Sequence, residues 1–331
     1  MRKLRLNNST LFFLSMTRAI ITGVAGFIGS HLSEELLKRG YTVIGIDNFD
    51  PWYDPDTKSS NLEPSLSNSS FDLLKEDIRT FDFSSLLQEE DTVFHLAARP
   101  GVQDSWGNGF LDNVEINIYG TQRIFEAALE KGVKRVAFAS SSSIYGSTAT
   151  EVGRKVQPIS PYGVSKAACE QLASVYFERG LSLVPLRYFT VYGPRQRPDM
   201  AMNRLFRASV PGSYRFPLRG DGTQSREFTY VDDVVDATIL AGFEGKIADL
   251  EPLDIGGGVS ASINDVIQMI EKITGETTRI DFFSPPPGDP KVTIASTETV
   301  ERLLGWKAST SLIDGLEQQY LSLTKAFVSS V

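Results

Sequence analysis

An α/β architecture, a doubly wound parallel sheet with a smaller C-terminal lobe, is predicted by three features of this sequence. Short apolar runs alternate with stretches of helical period from Arg18 to residue 189, glycines cluster at the first strand-to-helix junction, and an aspartate closes the second apolar run. The first run, AIITG (19–23), has the length and composition of a buried strand. Residues 27–39 follow with Ile28, Leu32 and Leu36 on one helical face and stop at Gly40. TVIGID (42–47) is the second strand, DTVFHLAA (91–98) a third, and a helix over 114–131 leads to VKRVAFAS (133–140). A helix over 162–179 and the strand LSLVPLRYF (181–189) complete the series. Repeated units of this kind give parallel strands with helices on both faces. After Tyr192 the pattern loosens into GPRQRPDM and RGDGTQ. It resumes with a helix over 231–243, the strand LDIGGG (253–258), a helix over 262–274, a Pro-rich SPPPGDP loop and C-terminal helices. The predicted division is therefore a sheet domain over 17–192, to which 231–258 returns, and a smaller lobe over 193–331. Residues 1–16 read as a disordered extension, because LFFL is too short for a secretory signal.

Among 331 residues, 33 are Lys or Arg and 41 Asp or Glu, a net charge of −8 without a dense basic block. That balance excludes proteins that grip nucleic acid or an anionic membrane surface. No apolar run reaches the ~18 residues that would span a bilayer. A lone cysteine, Cys169, forms no internal disulfide, and His31 and His95 have no second ligand in metal-site spacing. The expectation is a cytoplasmic protein without a metal, acting on a small molecule.

Gly23, Gly26 and Gly29 form G-x-x-G-x-x-G at the end of the first strand and the mouth of the first helix. Glycines there let the chain turn tightly and bring backbone N–H groups to a pyrophosphate, whose charge the helix N-terminus favours. Asp47 closes the second strand 18 residues after Gly29, where a carboxylate accepts hydrogen bonds from a ribose diol. No Lys or Arg follows Asp47 directly, so a 2′-phosphate would face an uncompensated negative charge. The sheet is thus Rossmann-type and the expected cofactor is NAD rather than NADP.

Tyr162 and Lys166 make Y-x-x-x-K, four residues apart on one helical face. Tyrosine is a poor base at neutral pH, but an adjacent ammonium favours the phenolate, which makes the pair proton-transfer machinery. It follows the hydroxyl-rich FASSSSIYG (138–146), delivered to the carboxyl edge of the sheet, where ligands of such folds bind.

From about Thr17 onward the chain resembles the extended short-chain dehydrogenases/reductases of the nucleotide-sugar epimerase and dehydratase group. The resemblance rests on TGVAGFIGSHL, GIDNF, Asp77-Ile78, HLAA, SSSSIYG, YGVSK, LRYFTVYGP, GDGTQSREFTYVDD and PGD, in that order. It implies NAD held throughout the catalytic cycle by Gly23, Gly26, Phe27, Ile28, Gly29, Asp47, Asn48, Asp77, Ile78, Leu96, Ala97, Ala98, Tyr162 and Lys166. It also implies Ser141 as the catalytic hydroxyl beside Tyr162 and Lys166, Arg226 on the phosphates of a UDP-sugar and Asp289 on its uridine ribose. The 193–331 lobe would be the UDP-sugar-binding lobe, and the protein a homodimer pairing the 114–131 and 162–179 helices. Departures from the group's pattern are Arg99 where Gln is common, Gln103 where a basic residue is common, and Pro287 where Arg often precedes P-G-D.

The group's dehydratases carry Thr-Asp-Glu where this chain has Ser141, Ser142 and Ser143, so the residues that eliminate water are missing. RYFTVYGPRQRPDM, with Thr190 in place of a common Asn and Arg197 following, is similar to the UDP-glucuronate 4-epimerases. Ser142, Ser143 and Thr190 then become candidate donors to a sugar carboxylate. The alternatives are a UDP-glucose or UDP-N-acetylglucosamine 4-epimerase and a UDP-glucuronate decarboxylase. An NAD-sensing protein without turnover would be expected to lose Tyr162 or Lys166, and both are present.

Overall fold

A computed structural model describes residues 17–148, 155–243, 250–257, 259–284 and 292–328. The extension over 1–16 and Asp289 lie outside the described residues. Strand β1 (Arg18–Thr22) leads into α1 (Phe27–Lys38), and β2 (Thr42–Ile46) into α2 (Pro55–Leu66) and β3 (Phe71–Leu74). After β4 (Thr92–His95) comes one helical run in three parts: α3 (Gly109–Asp112), a π-helical stretch over Asn113–Tyr119, and α4 (Gly120–Lys131). Next come β5 (Arg135–Ser141), α5 (Pro161–Phe177) and β6 (Leu183–Tyr188), then β7 (Thr190–Tyr192), α6 (Ala201–Ser209), β8 (Phe216–Arg219) and β9 (Ser225–Tyr230). The remaining elements are α7 (Val231–Phe243), β10 (Leu253–Ile255), β11 (Val259–Ser262), α8 (Ile263–Thr274), β12 (Ile280–Phe283), β13 (Val292–Thr293), α9 (Glu298–Leu304) and α10 (Leu312–Val328).

Seven strands form one parallel sheet in the order β10-β6-β5-β4-β1-β2-β3. Because side chains alternate along a strand, each strand feeds two cores. Ala19, Ile21, Phe94 and Ala137 pack with Leu32 and Leu36 of α1 and Val234 and Val235 of α7 on one face. Ile20, Val93, Val136 and Phe138 pack with Ile124 and Phe125 of α4 and Ala173 and Tyr176 of α5 on the other. The first of these clusters continues into the smaller lobe through Tyr192, Phe228, Trp306 and Leu316, so the lobe is welded to that face. Within the lobe β9 pairs with β7, β11 and β13, and β8 pairs with β12. The crossing from large to small sheet occurs at Phe189, between β6 and β7.

The structure adds elements that the sequence reading lacked, among them α6, β8 and β9 between residues 193 and 230 and β11, β12 and β13 after β10, and it differs from that reading elsewhere. Helix α2 and strand β3 have no counterpart in the sequence reading: α2 is polar, contains Pro64, and buries Lys58, Asn61 and Ser65 with Leu62 as its one buried large apolar residue, so no apolar stripe marks it. Its start is marked locally, by Asp54 accepting from Asp56 N–H and by Pro55 in the first turn. The helix expected over 114–131 begins earlier, at Gly109, and passes through a π-helical segment before closing on Gly132 in the left-handed region. The strand expected over 253–258 ends at Ile255, where glycines follow.

Candidate active site

The carboxyl ends of β1, β2, β4, β5 and β6 open into one cleft of about 420 Å³. Strand β1 enters it through a turn whose first glycine, Gly23, sits at φ +73° and donates its N–H to Ile46 O at 2.8 Å. A Cβ on Gly29 would stand 2.2 Å from Gly23 O, and one on Gly23 would stand 2.7 Å from Ala97 N. The turn is therefore a cradle that side chains would fill. Helix α1 starts there with Gly26 at its N-cap and no side-chain cap, so its first N–H groups are left for a ligand. Asp47 Oδ2 accepts Ala25 N–H at 3.0 Å and Oδ1 accepts Phe49 N–H at 2.8 Å, tying the glycine turn to the end of β2. Burial pushes the Asp47 carboxyl upward, against those N–H groups and the Lys58 ammonium. On the far rim Asp77 accepts from Arg79, at 2.6 and 2.9 Å, and from Asn48, which hold its carboxyl down near about 2.

Helix α5 begins with Ser160 accepting Gly163 N–H and Pro161 in its first turn, which presents Tyr162 at the cleft. One turn on, Lys166 is buried and donates to Ala139 O at 2.8 Å. One turn further, Glu170 accepts Ser140 Oγ at 2.5 Å and Arg187 at 2.6 and 2.9 Å. Two successive turns of the helix are thus stitched to the two residues before Ser141. Arg187 also donates to the Tyr145 hydroxyl at 2.6 Å, which donates to Asp254 of β10 at 2.7 Å. This buried chain joins β5, α5, β6 and β10 beneath the cleft, and removing one charge from it would strand the other.

Ser141 lies opposite Tyr188 in the β5–β6 register, so Ser142 and Ser143 emerge beside Thr190. Ser141 Oγ accepts Ser143 N–H at 3.1 Å. Arg197 holds Asp199 through Nε and Nη2, each at 3.0 Å, and faces the same cleft. The cleft takes every residue expected at the cofactor, together with Ser141, Ser142, Ser143, Thr190 and Arg197. Arg226, on β9, is not in its lining; it donates to Ser225 O.

Two residues that the sequence reading did not single out, Lys58 and Tyr53, line the cleft, and a third, Asn117, is tied to it through Arg99. Lys58 of α2 is buried beside Asp47 and donates to Asp50 O at 2.6 Å. The Tyr53 hydroxyl is buried in the cleft wall near Arg197 and Asp199. Asn117, in the π-helical stretch, accepts Arg99 N–H at 2.7 Å, donates to Arg99 O at 3.1 Å, and donates to Ser165 Oγ at 2.9 Å. An Asp followed eleven residues later by Lys has no period to betray it, and a carboxamide is visible only once its partners are.

Cys169 is buried against α4, its thiol pushed upward by burial. His95 is fully buried between Thr22 Oγ1 at 2.7 Å and Thr121 Oγ1 at 2.9 Å, and burial, with the Lys166 ammonium nearby, lowers it to about 3. Between an unfolded value of 6.5 and that folded value the unfolded chain binds a proton that the native state refuses, so this stability is complete above 6.5 and lost as pH falls. Denaturant unfolding at pH 7 and pH 5 should therefore show the parent losing about 2 kcal/mol more than His95→Gln on acidification. Equal losses in the two proteins would contradict the neutral buried imidazole. Among the described residues no cluster of three or more His, Cys, Asp or Glu could hold a metal, and no helix is long and apolar enough to cross a membrane.

Sheet order and cleft together define the extended short-chain dehydrogenase/reductase class. Residues 19–247 match the model of the "NAD dependent epimerase/dehydratase family". The chain is 42% identical over 315 residues to an "uncharacterized UDP-glucose epimerase YtcB" of Bacillus subtilis, across 94% of this chain and 99% of that protein. A solved UDP-glucuronic acid 4-epimerase from Bacillus cereus, in complex with UDP-glucuronic acid and NAD, is 42% identical with a TM-score of 0.89, covering 93% of this chain and 99% of that one. A solved UDP-glucose 4-epimerase from Thermotoga maritima, with UDP-glucose, is 30% identical with a TM-score of 0.82, covering 94% and 99%. The chain belongs to the NAD dependent epimerase/dehydratase family and is an NAD-dependent nucleotide-sugar epimerase. The glycine cradle, the uncapped α1 terminus and the buried Asp47 carboxylate fit that cofactor.

Proposed function

We propose that this enzyme is a UDP-glucuronate 4-epimerase, interconverting UDP-glucuronate and UDP-galacturonate through a 4-keto sugar. The observation that carries the reading is the lining of the cleft, where Ser142, Ser143 and Thr190 supply neutral hydroxyl donors alongside Arg197 and Tyr162. The acidic residues that a dehydratase needs are replaced there by serines. The likeness to the Bacillus cereus enzyme supports the same substrate.

In this mechanism the Tyr162 oxygen, one helical turn from Lys166, takes the proton of the sugar 4-hydroxyl while Ser141 hydrogen-bonds the same oxygen. NAD held by the Gly23–Gly29 turn, the α1 N-terminus and Asp47 would supply the two-electron chemistry, as acceptor and then donor of the carbon 4 hydride. Between those events the planar ketone turns its other face, and Tyr162 returns the proton. There is no net redox change. With a carboxylate at carbon 6 the ketone is a β-keto acid, which loses carbon dioxide when the bond to the carboxylate stands perpendicular to the ketone plane. Holding that group with Ser142, Ser143 and Thr190 is thus part of catalysis. Neutral donors orient it without a full charge that would bind every state equally. Arg226 and Asp289 are assigned to the UDP moiety.

A second copy of the chain is assigned to the face of the α3–α4 run and α5, where Leu111, Tyr119, Val164 and Val175 are exposed.

Replacing Thr190 with Val keeps the shape and removes one donor. Loss of a donor to a charged acceptor costs about 1.5–3 kcal/mol, so UDP-glucuronate turnover should fall ~10- to 100-fold. UDP-glucose turnover should change little, and UDP-pentose should appear as keto sugar escapes. Equal impairment with both sugars would overturn the hexuronate reading.

A further inference from the structure

An epimerase with no net redox change needs its dinucleotide to stay for both halves of each turnover, so the residence time of NAD is part of its function. The glycine cradle sits at the carboxyl end of β1, and β1 lies between β4 and β2 in the sheet. Loops leaving β4 and β2 therefore flank the cradle, with their parent strands roughly 10 Å apart. Arg99, just after β4, reaches the loop that follows β2. Its guanidinium lies 4.7 Å from the centroid of the Trp52 ring and donates to Asp50 Oδ2 at 3.1 Å. The other oxygen of Asp50 accepts Trp52 N–H at 2.9 Å, so carboxylate and ring are held as one receiving unit. Arg99 Nε lies 3.3 Å from Asp112 of α3, an ion pair without a hydrogen bond. The backbone of Arg99 is itself fixed at both its N–H and its carbonyl by Asn117. Asp50, Trp52 and Arg99 all line the cleft that holds the glycine turn.

We propose that Arg99 is a strap across the cofactor cleft that slows the departure of NAD. One end is anchored by Asn117, and the other is a planar cation that stacks on an indole while bonding a carboxylate. Arginine combines these two contacts in one side chain. Glutamine at this position is shorter and uncharged, and reaches neither partner in the same way. The Arg99 side chain is 13% exposed, so its ion pairs are only partly screened by water.

The test loads purified holoenzyme with radiolabelled NAD and follows its release into excess unlabelled NAD. Arg99→Gln is expected to release label at least fivefold faster than the parent, and an increase below fivefold overturns the proposal. Rising salt should accelerate release from the parent and leave Arg99→Gln nearly unchanged, whereas parallel salt responses would also overturn it. Should Arg99→Gln fail to fold or load, Asp112→Asn alters only a half-exposed carboxylate and carries the same test. Its release should be at least twofold faster, and an unchanged rate counts against the strap.

Discussion

Tyr162→Phe should lower turnover by ~10²-fold or more while the enzyme still folds and still carries NAD. The substitution removes one oxygen and leaves the ring. The helix start is held independently by Ser160 on Gly163 N–H, and Lys166 remains on Ala139 O, so the surroundings of the ring have no reason to move. What disappears is the acceptor for the 4-hydroxyl proton. Turnover and NAD content of the purified variant are the measurements. Activity within a few-fold of the parent would mean that another group is the base, and loss of NAD would mean that the tyrosine serves binding instead.

Gly29→Ala is expected to weaken NAD binding by ~10²-fold. A Cβ at this position would lie 2.2 Å from Gly23 O and 3.0 Å from Val24 Cα, both backbone atoms that no rotamer change relieves. The glycine turn must shift outward. Overpacking of this kind costs about 1–3 kcal/mol, and here it falls on the cradle itself, where Asp47 also holds Ala25. NAD affinity by titration calorimetry checks it. Affinity within threefold of the parent would show that the cradle tolerates the methyl and does not fix the cofactor's geometry.

What the sequence disclosed and what it concealed follow from the range of the interactions involved. The glycine turn and Asp47 were legible because strand, turn and helix are contiguous in the chain, so spacing alone brings them to one edge. Tyr162 and Lys166 were legible because four residues are one helical turn. Helix α2 was hidden by Pro64 and by a buried side that is largely polar, held by bonds such as Asn61 Nδ2 to Ala25 O at 3.0 Å and Ser33 Oγ to Ser65 Oγ at 2.9 Å. The π-helical stretch has no compositional mark, yet it sets where Asn113 and Asn117 point. Lys58, Arg99 and Glu170 depend on partners that only the sheet order brings near. Arg99 appeared in the sequence as a departure from a pattern, and it acquires a role only when β4 and β2 are seen on either side of β1.

The central claim is that the substrate carries a carboxylate, and the parent holoenzyme tests it most directly. Supplied separately with UDP-glucuronate and UDP-glucose, and followed by proton NMR for the 4-epimers and for UDP-pentose, it should epimerise UDP-glucuronate with far the higher kcat/KM and release almost no pentose. Faster epimerisation of UDP-glucose would contradict the account and make the enzyme a neutral-hexose epimerase. UDP-pentose as the main product from UDP-glucuronate would contradict it as well and make the enzyme a decarboxylase.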